Sequence, residues 1–418
     1  MGAPQLQDSI TVSLVTCWPG PEVYELCGHE AVRVRGVYRG AEIDSVWNYG
    51  TFDFNQPNFI YRFVKGETDY KLSSYPFAWF MPEYVAGGRM VVEQDLNLTQ
   101  AEAGRMLELL RHEALPPNST YRYNYVKDNC ATRVVDRLDQ AVGTPVVYPD
   151  SIHYGTFRRE MRAYHKDYPW YQFGIDLALG SGLDYPLRGK EEMFVPLEMM
   201  RKAGNAHLAD GRPLVRETRV LNEGVPDATL GPTAWWAVPL TCSWAFFALV
   251  MLLCLWQWKC GRIFRALYCV WFAILGLTGC LLTFLIFVST HEATSPNILL
   301  LWLNPLQLVI ATGVWFRNKM RAATVAMIYV NIILITILLI VWPLHAQSAN
   351  PAFFPLMGAT LALAVAYAII RTQISSKNID IRYKNEEVGN LGARRNSRTV
   401  GSRSKGARKA PARGRNNR

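Results

Sequence analysis

The sequence is poor in charge, and its few charges are unevenly placed. Only 19% of its 418 residues are Asp, Glu, Lys or Arg, against roughly 25% in an average soluble protein. Five long runs contain no charged residue at all: 235–256, 266–288, 298–316, 322–344 and 352–370. This depletion excludes an ordinary soluble enzyme. An aromatic content of 12% excludes a disordered or collagen-like chain.

The motifs of several common enzyme classes are also absent. The sequence has no Gly-rich phosphate loop and no Cys/His spacing typical of a zinc site, so we expect no cofactor and no metal. The segment Arg394–Arg418 contains ten Lys and Arg but no Asp or Glu. Next to membrane runs, such a tail fixes topology and contacts anionic lipid. Since no recognition motif accompanies it, we expect no nucleic-acid partner.

The five uncharged runs are long enough, or nearly so, to cross about 30 Å of hydrocarbon. Only the loops after the first and third runs carry basic residues, namely Lys259, Arg262, Arg265, Arg317, Lys319 and Arg321. The positive-inside rule places these loops and the basic tail in the cytoplasm. An odd number of crossings then places residues 1–230 outside. The Asn304-Pro305 pair predicts a kink or break within the third run.

These patterns predict three parts of the chain. Residues 1–230 form a periplasmic domain, residues 231–374 form a transmembrane domain with five helices, and residues 375–418 form a basic, disordered cytoplasmic tail. We therefore expect a multi-pass protein of the inner, cytoplasmic membrane. Met1–Asp8 is too short and polar for a signal peptide, which indicates a mature or trimmed form.

The outer domain has strand-like and helix-like segments. Alternation predicts strands at Ile10–Cys17, Glu30–Val37 and Ile43–Tyr49, with a hairpin turn at Arg39-Gly40. Helical spacing predicts helices over Thr99–Ala114 and Ala131–Ala141, with Thr99 and either Asp128 or Asn129 as N-caps.

Cys130 has the most informative chemical position, in the first turn of a predicted helix. Unpaired N–H groups and the helix dipole there favour a thiolate, lower its pKa and can hold an oxyanion. His29, at the start of a core strand, is the best candidate for the base. Asn48, on the neighbouring strand, is the best candidate to orient its ring, with Asp53 in reserve. The structural alternative stays open, because cysteines at helix starts are more often structural.

The eight cysteines divide between the two halves of the chain. Five lie in or beside the first two membrane runs, where we expect them to pack as small apolar residues. The outer domain has Cys17, Cys27 and Cys130. A disulfide between Cys17 and Cys27 would leave Cys130 free. Cys17 is itself an alternative nucleophile, but it precedes Pro-Gly-Pro and has no helix dipole behind it.

Several segments of the sequence resemble the bacterial lipoprotein N-acyltransferase family Lnb. In the outer half they are LVTCWPGPEVYELCGHEAVRV from residue 14, WNYGTFDFN from 47, LNLT from 96, YRYNYVKDNCATR from 121 and IDLALGS from 175. The membrane half adds HEATSPNILLLWLNP from residue 291. The resemblance covers most of residues 10–370, but it does not include the basic tail.

This resemblance implies a fold and a reaction. The outer domain would be an α+β permuted papain-like fold, of the NlpC/P60 and lecithin–retinol acyltransferase type, followed by an all-α domain of five transmembrane helices. Cys130 would be the nucleophile and His29 its base. An acyl chain would move from a membrane phospholipid, through a Cys130 thioester, to the α-amine of the lipidated N-terminal Cys of a diacylated lipoprotein. The sequence departs from the family pattern at Cys27, where a larger apolar residue such as Phe is expected.

Further polar residues are candidates for substrate binding. They flank the Cys130 motif or the outer end of the third run: Tyr123, Asn124, Asn129, Arg133, His291, Asn297 and Asn304. Polar residues at membrane depth are often functional, although loop and capping roles explain them almost as well. Three rival functions remain open: a membrane-anchored thiol hydrolase (phospholipase or peptidoglycan amidase), an inactive receptor or assembly factor, and a transporter.

Overall fold

The computed structural model of this protein describes residues 8–149, 155–225, 231–316, 319–344 and 347–376. The expected disordered tail lies outside these ranges, except for its first two residues. The first half of the chain forms an α+β domain around one antiparallel sheet, and the second half is helical. The predicted fold class, a sheet-containing α+β domain followed by a helical membrane domain, is therefore confirmed.

The sheet of the outer domain has seven strands among the residues described. In chain order they are β1 (Ser9–Cys17), β2 (His29–Tyr38), β3 (Ala41–Thr51), β4 (Asp69–Pro76), β5 (Val91–Leu96), β6 (Thr120–Arg122) and β7 (Val215–Asn222). Their order across the sheet is β6-β4-β3-β2-β1-β5-β7. The three strands predicted from alternation thus form its centre, and Cys17 is paired with His29.

The predicted hairpin between β2 and β3 is confirmed. Arg39 and Gly40 have φ angles of 49° and 77°, as in the two-residue turns whose twist matches that of the flanking strands. Because this turn fixes the register, Val32 lies opposite Trp47. The start of β2 and the end of β3 are thereby brought side by side.

Helices cover both faces of the sheet. The outer domain contains α1 (Phe59–Lys65), α2 (Phe77–Ala86), α3 (Gln100–Ala114), α4 (Cys130–Val142), α5 (Phe157–Tyr164), α6 (Pro169–Ala178) and α7 (Pro196–Ala203). Helices α3 and α4 pack on the face that carries Leu14, Val32 and Val34. Helix α2 packs on the opposite face, against Val15 and Ala31. Each buried aliphatic side chain in these cores contributes about 1.5–3 kcal/mol.

The membrane half contains α8 (Pro239–Cys260), α9 (Arg265–Phe287), α10 (Gln307–Gly313), α11 (Lys319–Val341) and α12 (Phe353–Ser376). Among the described residues, four helices are long and apolar enough to span a membrane, namely α8, α9, the helical segment Met320–Leu344 and α12. They correspond to four of the five predicted runs.

The third run, 298–316, is interrupted in the structure, as the Asn304-Pro305 pair predicted. It forms a short 3-10 turn over Ile298–Leu301 and then the short helix α10, with a break at Asn304-Pro305. Proline cannot donate the backbone hydrogen bond that a continuous helix needs. The break is buried within the protein, where Gln307 Nε2 donates to the carbonyl oxygen of Trp302 at 2.8 Å. Asn331 and Gln307 also exchange hydrogen bonds at 2.6 and 2.8 Å.

Contacts with the outer domain show which ends of the membrane helices lie next to it. Trp170 donates to the carbonyl of Ala237 at the start of α8, Gly180 to the carbonyl of Ala293 after α9, and Arg162 to Ser348 before α12. The broken third segment therefore begins beside the outer domain. The third segment ends at the start of α11. The far end of α11 lies beside the outer domain, so the start of α11 lies at the opposite end of the bundle. The third segment therefore passes from one end of the bundle to the other.

A close approach holds the broken segment against α9. At Gly279, an added Cβ would lie only 2.4–2.7 Å from backbone atoms of Asn304, so a larger residue does not fit without movement. Small residues of this kind let backbones pack closely inside membranes.

Candidate active site

Cys130 is the first residue of α4, and Asn129 is the N-cap of that helix. The Asn129 side chain accepts hydrogen bonds from the backbone N–H groups of Ala131 and Thr132, both at 3.0 Å. Its amide nitrogen donates to the carbonyls of Tyr125 and Phe194, each at 2.8 Å. Asn129, which is 4% exposed, thus anchors the start of α4 to two other segments. This explains its position without a substrate contact.

The Cys130 thiol is buried against backbone donors. Burial raises its pKa to about 12, while the backbone N–H groups of Glu30, Ala131 and Cys130 itself face the sulfur and lower the pKa. The expectation that the helix terminus leaves this thiol with a lowered pKa is therefore wrong, because the cost of burying a charge outweighs the donors. The same N–H groups form a ready site for an oxyanion.

His29 and Asn48 lie together at the ends of β2 and β3. Asn48 Oδ1 is 2.5 Å from His29 Nε2, and Asn48 Nδ2 donates to the Tyr75 hydroxyl at 3.0 Å. Since the amide oxygen is the acceptor, Nε2 carries the hydrogen and Nδ1 is the basic nitrogen. Burial lowers the pKa of His29 to about 4, so the ring is neutral at neutral pH.

Cys130 approaches the start of β2 at the residue next to His29. The Cys130 sulfur faces the backbone N–H of Glu30, the residue that follows His29. No hydrogen bond joins the His29 ring to the sulfur within the described chain. Catalytic hydrogen bonds in unliganded enzymes are often long and tighten only with substrate.

Glu30 is a buried acid beside this site that the sequence analysis did not single out. Its Oε2 accepts from Thr16 Oγ1 at 2.7 Å, and its Oε1 has no hydrogen-bond partner among the residues that the structure describes. Burial raises its pKa to about 8. The sequence does contain a signal for a buried acid at this position. Glu30 lies two residues before Val32, on the buried face of a strand whose other inward-facing residues are apolar.

Tyr123 borders the thiol on another side. An added Cβ at Gly50 would lie 3.7 Å from Tyr123 Cε2 and 4.0 Å from Cys130 Cβ. Gly50 also has a φ of 90°, which disfavours other residues there. The missing side chain at Gly50 therefore leaves room for about one methyl group beside Cys130 and the Tyr123 ring, which stacks on Tyr70 at a centroid distance of 4.3 Å.

The other two candidates around the cysteine motif are held by protein partners. Arg133 pairs with both carboxylate oxygens of Asp128 at 2.6 and 2.8 Å, and its guanidinium lies 3.5 Å from the Tyr121 ring centroid. Asn124 Oδ1 accepts from the backbone N–H groups of Val126 and Lys127. Both residues shape the turn that leads into α4.

The membrane-side candidates also have protein partners. His291 Nε2 lies 2.8 Å from the carbonyl oxygen of Phe63, and Asn297 bonds to the Leu177 carbonyl and to Gln347. Asn304 Nδ2 donates to the Leu301 carbonyl at 3.4 Å, while its buried Oδ1 has no hydrogen-bond partner in the described part of the chain. His291 and Asn297 therefore join the outer domain to the loops of the membrane domain.

Asp53, the reserve candidate for orienting the His29 ring, and the other thiols of the outer domain have different surroundings. Asp53 Oδ1 accepts from the backbone N–H of Asn55 at 2.8 Å, so it caps a turn. All eight cysteines are free. Cys17 is buried, and the Cys27 sulfur is 3.1 Å from the Tyr125 hydroxyl. Within the described ranges, no three His, Cys, Asp or Glu side chains are grouped to hold a metal ion.

Two family models match the sequence, and together they cover most of it. Residues 6–158 match the Lnb N-terminal periplasmic domain, and residues 232–376 match the Lnb transmembrane domain. No curated protein and no solved structure matches the chain at a significant level.

Proposed function

Because this chain belongs to the Lnb family, we propose that it is a lipoprotein N-acyltransferase that works through an acyl-Cys130 thioester. The donor is a membrane phospholipid and the acceptor is the α-amine of a diacylated lipoprotein. One observation carries the proposal: Cys130 lies at a helix start among three backbone donors, one of them the N–H of Glu30, the residue that follows His29, in a domain docked on membrane helices.

In the first step, the Cys130 sulfur attacks the ester carbonyl of the phospholipid, and His29 Nδ1 takes the thiol proton. The N–H groups of Glu30 and Ala131 hold the oxyanion. The ester C–O bond breaks, and His29 returns the proton to the leaving lysophospholipid oxygen. Since the thiol pKa is high and that of His29 is low, proton transfer accompanies attack rather than preceding it.

In the second step, the α-amine of the lipoprotein attacks the thioester. His29 accepts the amine proton, the C–S bond breaks, and the proton returns to the Cys130 sulfur. A thioester suits this exchange because it reacts readily with an amine. The product is an N-acylated, triacylated lipoprotein.

Intact mass spectrometry tests the first step. We expect the wild-type protein, incubated with phospholipid and no acceptor, to gain one acyl mass that hydroxylamine removes. Cys130→Ala should gain none. Cys27→Ala is the matched control, because it removes a nearby thiol outside the proposed chemistry, and it should keep the adduct. Phospholipid turnover to free fatty acid without an adduct would favour a hydrolase instead.

The base is tested by two further variants. His29→Ala should lower the rate of adduct formation at least a hundredfold, the usual contribution of a positioned acid–base group. Glu30→Gln removes the buried acid but keeps the backbone N–H at residue 30. A larger decrease in the rate of adduct formation in Glu30→Gln than in His29→Ala would identify the Glu30 carboxyl group as the base. Adding a diacylated lipopeptide should discharge the adduct as an N-acylated product.

We further propose that the protein resides in the inner membrane with its basic loops in the cytoplasm. Support comes from the loop charges and from the outer-domain contacts of the uncharged loops. A membrane-impermeant maleimide should label Lys190→Cys, in the outer domain, in intact spheroplasts. It should label the exposed Cys260, at the end of α8, only after permeabilisation. Labelling of Cys260 in intact spheroplasts would reverse the assignment.

A further inference from the structure

A continuous row of aromatic rings leads from the space beside Cys130 to the membrane half of the protein. It begins at Tyr123, which stacks on Tyr70. Tyr70 contacts Phe52 at a centroid distance of 5.1 Å, and Phe52 contacts Phe59, on α1, at 6.0 Å. Phe59 stacks on Phe63, one turn later, at 6.1 Å. We call these five rings, together with Phe54, the aromatic track.

The far end of the track is attached to the outer end of α9. The Phe63 ring contacts His291 at 6.4 Å, and its carbonyl oxygen lies 2.8 Å from His291 Nε2. Tyr61, on the same helix, contacts the ring of Phe284 in α9 at 6.3 Å. Thr290 donates from its backbone to the carbonyl of Lys65 at 2.8 Å. The position of α1 at the end of a membrane helix is therefore fixed by hydrogen bonds.

Helix α1 exposes its apolar side chains instead of burying them. None of its residues is buried, and Ile60, Tyr61 and Phe63 are 77%, 56% and 51% exposed. Phe54, beside it, is 59% exposed. Exposed apolar patches of this kind mark contact with another apolar surface. Because α1 adjoins the end of α9, the surface available to it is the outer leaflet of the membrane.

We propose that α1 lies in the lipid interface and that the aromatic track holds the acyl chain of the donor phospholipid on its way to Cys130. This inference rests on the proposed function. The occupant is the donor chain because the track is continuous at one end with a membrane-facing helix and ends, at the other, at Tyr123, which lies beside Cys130 next to Gly50. When the ester carbonyl of the donor reaches the Cys130 sulfur, the hydrocarbon of its acyl chain lies along these rings.

Donor chain length provides the test. The rate of Cys130 adduct formation would be measured with a long-chain phosphatidylethanolamine and with its dihexanoyl form, in the full-length protein. We expect Phe54→Ala and Phe59→Ala each to slow the reaction with the long-chain donor about tenfold, since each removes apolar contact with the chain. The rate with the dihexanoyl donor should stay within about twofold of wild type, because its chains are too short to extend along the track.

Trp79→Ala is the matched control. Trp79 is a 73% exposed aromatic residue on α2, and it makes no ring contact with the track in the described structure. Its rates should equal those of wild type with both donors. Equal long-chain rates in wild type, Phe54→Ala and Phe59→Ala would overturn the track while leaving the proposed function intact.

Two other results are informative. Normal adduct formation with slow discharge to a diacylated lipopeptide would assign the track to the acceptor's chains and overturn the donor assignment. An absence of adduct in wild type with either donor would refute the proposed function itself. Photo-crosslinking with a diazirine-bearing phosphatidylethanolamine checks the track in the unaltered protein. Label on residues 52–63 is expected, and label confined to the membrane helices would contradict the proposal.

Discussion

At the scale of single residues, burial controls the chemistry around the start of β2. It raises the pKa of the Cys130 thiol and of the Glu30 carboxyl and lowers that of His29. All three groups are therefore uncharged near neutral pH. A site of uncharged groups suits the proposed reaction between lipid substrates, because no ion has to lose its water when the substrates bind.

Alkylation should reveal the protonated thiol. In a Cys27→Ala background, the rate of Cys130 modification by iodoacetamide should rise about tenfold per pH unit from about pH 7 to about pH 10, because the thiolate fraction grows in that proportion below the pKa. Mass spectrometry of the Cys130 peptide measures the rate. A plateau near pH 6 or 7 would instead indicate a preformed thiolate–imidazolium pair.

Glu30 should make stability depend on pH. Its pKa is about 8 in the folded protein against an ordinary value of 4.5. The folded state thus holds a proton that the unfolded state has lost, and stability falls as pH rises from about 4.5 to about 8. Glu30→Gln removes this loss of stability, roughly 5 kcal/mol at most. We expect a higher melting temperature than wild type near pH 8 and an equal one near pH 4; a uniform decrease would contradict this assignment.

At the scale of elements, the helix caps follow from the sequence, and the position of α4 depends on one of them. Thr99 and Asn129 both form the capping boxes expected from their residue types. The two caps differ in the hydrogen bonds that their side chains make outside the capped helix. Asn129 also bonds to the carbonyls of Tyr125 and Phe194, whereas the Thr99 side chain serves only its own helix.

Paired cap variants should separate stability from activity. Thr99→Ala should cost about 1 kcal/mol, the usual value of a cap, and should leave the rate of adduct formation within about twofold of wild type. Asn129→Ala should cost roughly 2–3 kcal/mol, because two buried carbonyls also lose their donor. It should slow adduct formation at least tenfold by releasing the start of α4. Thermal melts and adduct rates measure both, and equal rates in the two variants would show that the cap does not position Cys130.

The edge strand β7 shows why some elements were not predicted. Its sequence, VRETRVLN, reads as a charged surface segment rather than as a strand. In the fold, Arg219 pairs with Glu93 and Asp95 of β5 at 3.0 and 2.8 Å. Both carboxylates are only 1% exposed, so long-range ion pairs, which no local pattern encodes, hold the strand in place.

At the scale of the whole molecule, one buried arginine organises the contact between the two halves. Arg158 is fully buried and pairs with Asp176 at 3.1 Å and Asp184 at 2.9 Å. Asp176 also accepts from Arg162 and from Asn350, in the loop before α12. Helices α5 and α6 are thus joined to the membrane domain through shared carboxylates.

Removal of Arg158 should loosen this junction. Arg158→Ala leaves two buried carboxylates without their partner, which typically costs about 3–5 kcal/mol. We expect faster hydrogen exchange in residues 157–184 and in the loop before α12. Lys190→Ala is the control, since it breaks the ion pairs that the exposed Lys190 makes with Asp136 and Asp139 and should change stability by about 1 kcal/mol or less. Unchanged exchange in Arg158→Ala would show that other contacts hold the halves together.

The sequence by itself determined the local features of this protein. Charge depletion located the membrane runs, alternation located β1 to β3, and cap residues located α3 and the start of α4 at Cys130. The Asn304-Pro305 pair predicted the break in the third run, and the motifs predicted the family. These features depend on contacts between residues that are near in sequence.

Only the tertiary structure decided how these parts are combined. It placed the Cys130 sulfur at the backbone of Glu30, buried the Glu30 carboxyl, and lined up aromatic residues from distant segments between Tyr123 and Phe63. It also reversed the expected effect on the Cys130 pKa. Burial depends on the packing of the whole chain, so neither its extent nor its electrostatic cost can be obtained from local sequence patterns.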